Sequence, residues 1–374
     1  MEERPPVAEV LDLGVVGDDA GNPSPPPRAR ISRRAALVTL AGGAAAAGLL
    51  ATRSEHRPAP PAPPSAVTHT RLGGGLRGVA TGWQLFGLAE DAVVRLDVGS
   101  GAVTRTDLPP LGDGQVFVVP GRDRVYVRSL GAPTGWLVRD DEPASPLAPS
   151  LAGVGALLPG PDPDHLWMHT QNADADAMVL VDADGWGSLP LRVPVPEFAT
   201  TGPMTDGGGG LLFEGVGGLY RISPAGRLAI SDAIVLAVGQ GDLLTLAKGA
   251  GGSWRPTLEL RGGASEPLPV PIGPQLPHGI LAPDASSVVL YAVDERRQMS
   301  LVVVDLPRGE HRPLEVDVGG VAGDGTVVWT PDGGRILCVD TDGRLRVVDP
   351  SSGAVTDSPA LPPLSRLAVR AFTS

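Results

Sequence analysis

Asn172, Asp174 and Asp176 stand at alternate positions, the spacing with which a Ca²⁺ loop begins. Such a loop needs glycine where Ala177 stands, and a bidentate glutamate at its twelfth place, which is absent here. The segment therefore reads as a polar inter-strand loop. Asp182 with Asp184-Gly185, and Asp340 with Asp342-Gly343, read as short acidic turns of the same kind. His165 and His169, four apart, would share a metal on a helix, but Leu166-Trp167-Met168 between them reads as a strand. At strand rise the two imidazoles are about 13 Å apart and cannot share one ion. His56, His69, His278 and His311 are scattered, and of these His278, just before a new strand, is the one placed to act as a base. Asp206-Gly207-Gly208-Gly209-Gly210 suggests a phosphate cradle, yet no Lys-Ser/Thr follows and the next element is a strand. It is expected to be a flexible hairpin loop. Cys338 is the sole cysteine, so no internal disulfide and no cysteine-based metal site can form, and its place in an apolar strand predicts a buried, inert thiol. No Gly-x-Ser-x-Gly elbow occurs. The sequence thus assigns no catalytic residue, no metal ligand and no cofactor.

The elements that would position any site repeat. An apolar run ending in Asp or another polar residue before a Gly or Pro turn recurs at Asp97, Asp140, Asp182, Ser223, Arg261, Asp305 and Asp349, at intervals of 38 to 44 residues. Radial repetition of that period predicts an all-β fold, a seven-bladed β-propeller. The unit is clearest in Val328-Trp329-Thr330-Pro331-Asp332-Gly333-Gly334, Arg335 to Asp340, Arg344 to Asp349 and Gly353. Asp342-Gly343 predicts a type I′ hairpin, because both residues tolerate positive φ. Arg366 to Phe372 is expected to join the blade containing Trp83 to Leu108, since a ring closes best when the two termini share a blade.

Residues 329–355 resemble the bacterial YVTN/WD40-like repeats: a Pro-Asp-Gly turn, a strand, an Asp-Gly turn, a strand ending in Asp, then Gly. The resemblance runs over about residues 70–374 and is sharp in the last two repeats, while the Gly-His and Trp-Asp pairs of stricter WD40 units are missing. It implies a toroid with a central channel, usually a binding scaffold.

The N-terminal quarter is organised differently. Residues 1–30, with Pro23, Pro25, Pro26 and Pro27, read as a disordered cytoplasmic tail. Residues 31–52 form a signal or anchor helix: Ser32, Arg33, Arg34 and Leu37 precede an uncharged stretch over 35–51, and this resembles a Tat export signal in which Ala36 and Val38 replace the usual Phe and Lys. Seventeen residues lie at the short limit for a span. The arginines Arg28, Arg30, Arg33 and Arg34 outweigh Arg53 and Arg57, which favours an N-in orientation. No Ala-x-Ala cleavage site follows, so a retained single-pass anchor is expected, with release through the Tat route as the alternative. Residues 53–69 are a Pro-rich linker, and 70–374 the propeller.

The propeller holds 23 basic and 35 acidic side chains and carries the entire net charge of −12, which disfavours nucleic acid. The expected function is a monomeric, non-catalytic binding module of the cell envelope, with an envelope protein or wall polymer as partner and the membrane held through residues 35–51. Two alternatives stay open. One is a propeller enzyme, either a lactonase-like metal-dependent hydrolase or a quinone-dependent dehydrogenase. The other is a signalling role for the tail, whose Val7 to Val16 stretch could dock on a cytosolic partner.

Overall fold

The computed structural model describes Leu11–Asp12 and, with short interruptions, residues 66–371. Among the described residues every regular element is a strand, and no helix is long and apolar enough to cross a membrane. The anchor segment, its motif Ser32, Arg33, Arg34 and Leu37, and most of the linker lie outside the described residues.

Strands β1 (Leu11–Asp12) and β2 (Val67–Arg71) precede the first repeat, which comprises β3 (Trp83–Ala89), β4 (Ala92–Asp97) and β5 (Ala102–Asp107). The second is a meander of β6 (Val116–Pro120), β7 (Arg124–Ser129), β8 (Trp136–Arg139) and β9 (Ser145–Pro146). The third runs through β10 (Leu157–Pro159), β11 (His165–Asn172), β12 (Ala175–Asp182) and β13 (Ser188–Pro194). The fourth has β14 (Met204–Thr205), β15 (Leu211–Gly215), β16 (Gly218–Ile222) and β17 (Arg227–Ser231), with β1 added at its edge through Leu11↔Leu228 and Asp12↔Arg227. At those two residues the chain is a strand, where the sequence suggested disorder.

An eight-stranded sheet comes next. Its halves are β18 (Ala233–Val238), β19 (Leu243–Lys248), β20 (Trp254–Glu259) and β21 (Ser265–Pro267), then β22 (Leu276–Leu281), β23 (Ser287–Val293), β24 (Met299–Asp305) and β25 (Glu310–Leu314). The last meander is β26 (Val327–Trp329), β27 (Ile336–Val339), β28 (Leu345–Val348) and β29 (Val355–Asp357), and β30 (Arg366–Ala371) ends the described chain. Five blades of four or five strands are therefore discrete, not the seven separate ones that the spacing predicts. The physical reason is a parallel pairing of β18 with β22 at Ala237↔Gly279 and Val238↔Ile280. Small residues allow it: a Cβ on Gly279 would lie 2.5 Å from the Val289 carbonyl oxygen and 3.2 Å from that of Leu236.

The sheets form a propeller-like ring, because each is buried on both faces. In β3, neighbouring Leu85 and Phe86 enter opposite cores: Leu85 packs with Leu337, Val339 and Leu345 of the last meander, and Phe86 with Val125, Val127 and Val138 of the second. Further cores follow in chain order, such as Tyr126 with Leu166, Trp167 with Phe213, and Leu212 with Val235. Burial on both faces is why the middle strands read as unbroken apolar runs instead of alternating ones.

Closure occurs as expected from sequence. β30 pairs antiparallel with β3 from Trp83↔Ala371 to Leu88↔Arg366. Arg370, only 7% exposed, fastens that strand: Nη1 donates to the Gly121 carbonyl at 3.0 Å, Nη2 donates to Gln84 Oε1, and the guanidinium lies 4.9 Å from the Phe86 ring centroid. β2 adds a fifth strand to the same blade through Val67↔Thr106 to Arg71↔Ala102, so the sheet begins three residues before the boundary read at 70.

The repeating Asp has a local cause. Asp97 and Asp305 end strands, Asp349 directly follows one, and the carbonyl of each accepts the amide of the glycine four residues on, Gly101, Gly309 and Gly353, at 2.9, 2.7 and 2.8 Å. All three glycines have φ near +70°. The carboxylates accept further bonds, Asp97 from Ser100 N and Asp349 from Ser351 N and Ser352 N. The Asp342-Gly343 hairpin departs from expectation: Gly343 has φ 78° but Asp342 does not have positive φ, and Gly343 N donates to the Asp340 carbonyl at 2.9 Å. This is a turn followed by one left-handed glycine rather than a type I′ pair, because the loop spans Asp340 to Arg344 instead of two residues.

Candidate functional site

The first strands of successive meanders neighbour one another around the ring, and β30 sits between β26 and β6. Their sequences, such as VFVVP, LLP, AIVLAV and VVW, contain no carboxylate, and their ionisable residues are His278, Arg366 and Arg370. Arg370 is already committed to the closure. Among the described residues no group of three His, Cys, Asp or Glu could hold a metal.

A polar groove lies instead at one rim of the ring, between the β22–β25 meander and the β26–β29 meander. It encloses about 250 Å³. Its floor is apolar: Ala282, Val303 and Trp329, whose Nε1 donates across the blade boundary to the Ile280 carbonyl at 2.9 Å. The Asp305 to Gly309 turn forms one wall, where Asp305 Oδ1 accepts Arg308 N at 2.9 Å and the exposed Arg308 guanidinium lies 3.9 Å from Asp305 Oδ2. Glu310 and Arg312 continue this wall, and Arg312 Nη1 donates to the Pro350 carbonyl at 2.6 Å, joining the two blades.

Of the three serines that line the groove, Ser286 and Ser351 have their protons already used. Ser286 Oγ donates to Asp284 Oδ1 at 2.8 Å, and Ser351 Oγ to Asp349 Oδ1 at 2.5 Å. That second bond, with the Ser352 and Ser351 amides and Arg335, holds the Asp349 carboxyl below the usual carboxylate range although burial opposes it. Both hydroxyls thus offer lone pairs, while Arg308 and Arg312 offer N–H groups. The charges of Arg308 and Arg312 balance those of Asp305 and Glu310.

The residues singled out from sequence fare differently. Asn172 and Asp176 lie at the β11–β12 hairpin, in register Asn172↔Ala175 and Gln171↔Asp176, while Asp174 lies outside the described residues. His165 and His169 share strand β11 as read, and His165 Nδ1 pairs with Asp162 at 2.7 Å. His278 falls on β22. Cys338 is buried, and burial pushes its thiol up to about 12, with Asp340 adding to the effect. Asp340 Oδ1 accepts the amides of Asp342 and Arg344, so that acidic turn is occupied with its own backbone.

Asp206 to Gly210 is the β14–β15 hairpin loop expected from sequence, but it is tied to its neighbours rather than loose. Asp206, 4% exposed, accepts Gly208 N and Gly210 N on Oδ1, both at 2.8 Å, and Arg221 Nη2 on Oδ2 at 3.2 Å. Trp167 Nε1 of the preceding blade donates to Gly209 O at 2.8 Å, and Gly241 N of the following sheet to Asp206 O at 2.9 Å. The glycines are there because neighbours leave no room: a Cβ on Gly207 would lie 1.4 Å from Gly239 O, and one on Gly209 would lie 2.1 Å from Pro161 Cα.

No protein-family model matches the chain, and no curated protein matches it in sequence. Solved structures do. A functionally unknown protein from Desulfotomaculum acetoxidans DSM 771 matches with TM-score 0.50 and 14% identity, over 76% of this chain and 98% of that one. The likeness is one of fold. TolB from Acinetobacter baumannii gives TM-score 0.41 and 12% identity over 77% and 82% of the two chains. A Mycobacterium tuberculosis puromycin-hydrolyzing peptidase gives 0.47 and 17% over 77% and 53%. At such identities no chemistry is transferred to this chain.

The groove went unread in the sequence because its walls come from positions more than 60 residues apart, Ser286 to Ser351, joined only when two blades stack. The one signal within reach was recurrence: the Asp305 and Asp349 turns are equivalent points of adjacent repeats, and equivalent turns gather at one rim.

Proposed function

We propose that the chain is an extracytoplasmic, non-catalytic binding module of the bacterial cell envelope, monomeric and held to the membrane through residues 35–51. The groove between the two C-terminal meanders carries this reading: it presents donors and acceptors in balance over an apolar floor, which suits recognition. We read the eight-stranded sheet as two repeat units fused at their inner strands, giving the seven units that the spacing marks. Ser32, Arg33, Arg34 and Leu37 before the uncharged stretch supply the export step, and an envelope protein or wall polymer is the partner.

The test is topology together with capture. Cysteine-specific labelling of intact cells, with single cysteines placed at Ser24 and at Ser358 in a Cys338→Ala background, should label Ser358→Cys alone. Labelling of neither site in intact cells, with both labelled after lysis, would place the ring in the cytoplasm and end the envelope reading. The tagged full chain should also retain a partner from envelope extract in a saturable, competable way.

A further inference from the structure

The groove's chemistry specifies a class of ligand. An anion would meet the carboxylates of Asp305 and Glu310, and a cation the guanidinium groups of Arg308 and Arg312. An apolar ligand would strip water from all four without replacing its hydrogen bonds. A polyhydroxylated molecule does neither, because each of its hydroxyls both donates and accepts. Its protons can go to Glu310, Asp305 and the lone pairs of Ser286 and Ser351, whose own protons are bound by Asp284 and Asp349. Its oxygens can accept from Arg308 and Arg312, and its C–H groups can meet the small apolar edges that Trp329 and Val303 leave at the floor. Size agrees: about 250 Å³ holds roughly eight waters at about 30 Å³ each, room for one sugar ring with its hydroxyls and less than a drug-sized pocket.

We infer that the groove between Asp305, Arg308, Glu310, Arg312, Trp329 and Ser351 binds one ring of a neutral saccharide. The inference rests on the binding-module reading and names its ligand. It places recognition at an inter-blade rim, away from the inner strands.

The full chain, purified in detergent, is titrated calorimetrically with N-acetylglucosamine tetramer, with maltotetraose, and with an anionic galacturonate tetramer. Saturable binding of a neutral oligomer is expected, stronger than that of the galacturonate and weakened roughly tenfold in Arg308→Ala and in Glu310→Ala. Both side chains are exposed at the rim, so unchanged melting curves will show that the variants fold. Absence of binding by both neutral oligomers overturns the inference, as does equal binding by wild type and both variants. If no saccharide binds while the tagged chain still retains a saturable envelope protein, the saccharide inference fails and the module stands. If neither is seen, both fall.

Discussion

Replacing Gly207 by alanine separates a packed inter-blade junction from a loose loop. Gly207 has φ +74°, a conformation that costs an L-residue about 1–2 kcal/mol. The new Cβ would also lie 1.4 Å from the Gly239 carbonyl oxygen, where a carbon–oxygen contact needs roughly 3.3 Å. The Cβ position is fixed by the backbone and its neighbour is a backbone oxygen, so no rotamer change relieves the clash. The sheets must separate by roughly 2 Å at this point, and overpacking of this kind costs about 1–3 kcal/mol. The sum is a loss of about 2–5 kcal/mol. Three companion variants divide it. Gly82→Ala, with φ +94° and nothing within 4 Å, reports the dihedral cost alone. Gly160→Ala, whose Cβ would meet His165 O at 2.4 Å without positive φ, reports steric cost alone. Gly202→Ala, with neither, should be neutral or slightly stabilising. Urea unfolding followed by tryptophan fluorescence gives each midpoint. A Gly207→Ala midpoint no lower than that of Gly82→Ala would refute the reasoning and return 206–210 to a free loop.

Deleting residues 365–374 removes β30, with buried Leu367 and the Arg370 fastening, and leaves β3 with an open edge. The combined loss exceeds about 5 kcal/mol, comparable with the whole stability of many domains, so cooperative melting by circular dichroism should vanish. Cys338 should resist iodoacetamide at pH 8 in the folded chain and react after denaturation, as read by mass spectrometry. Its folded thiol is raised to about 12, so the stability it contributes is complete below about pH 8.5 and is lost as pH rises from there toward 12. Asp349 shifts in the opposite sense. Its folded carboxyl lies below the unfolded value of about 3.9, so its contribution is present above that pH and lost as acid protonates the folded form. Asp349→Asn should cost about 1 kcal/mol at neutral pH and flatten the acid limb of the stability profile.

How much of this was legible depends on the range of the interaction. The Asp97, Asp305 and Asp349 turns could be read because carboxylate, amide and left-handed glycine lie within five residues. β15 and β16 could be placed in a degraded repeat because burial on both faces leaves the continuous run Leu211-Leu212-Phe213. The fusion of two meanders could not, since it depends on Gly279 lying beside Ala237 across 42 residues. The tetraglycine was misread for the same reason: Pro161 and Gly239, which exclude side chains there, belong to the flanking sheets. Trp329 is a core residue and Ser351 a turn residue. They also line a groove, a property that belongs to the stacked pair of blades and to neither sequence alone.

The pairing of β3 with β30 sets a rule for synthesis. Ser365 Oγ donates to the Leu88 carbonyl across 277 residues, so the first blade waits for β30 to be made before its inner edge is covered. Joining such distant segments carries a high loop-closure cost and comes late. A ribosome that stops between the first repeat and β30 releases a chain with an exposed β3 edge, open to proteases and chaperones. A chain that includes β30 hides it. β30 thereby acts as a checkpoint on synthesis, distinguishing chains that contain it from shorter ones by a single edge.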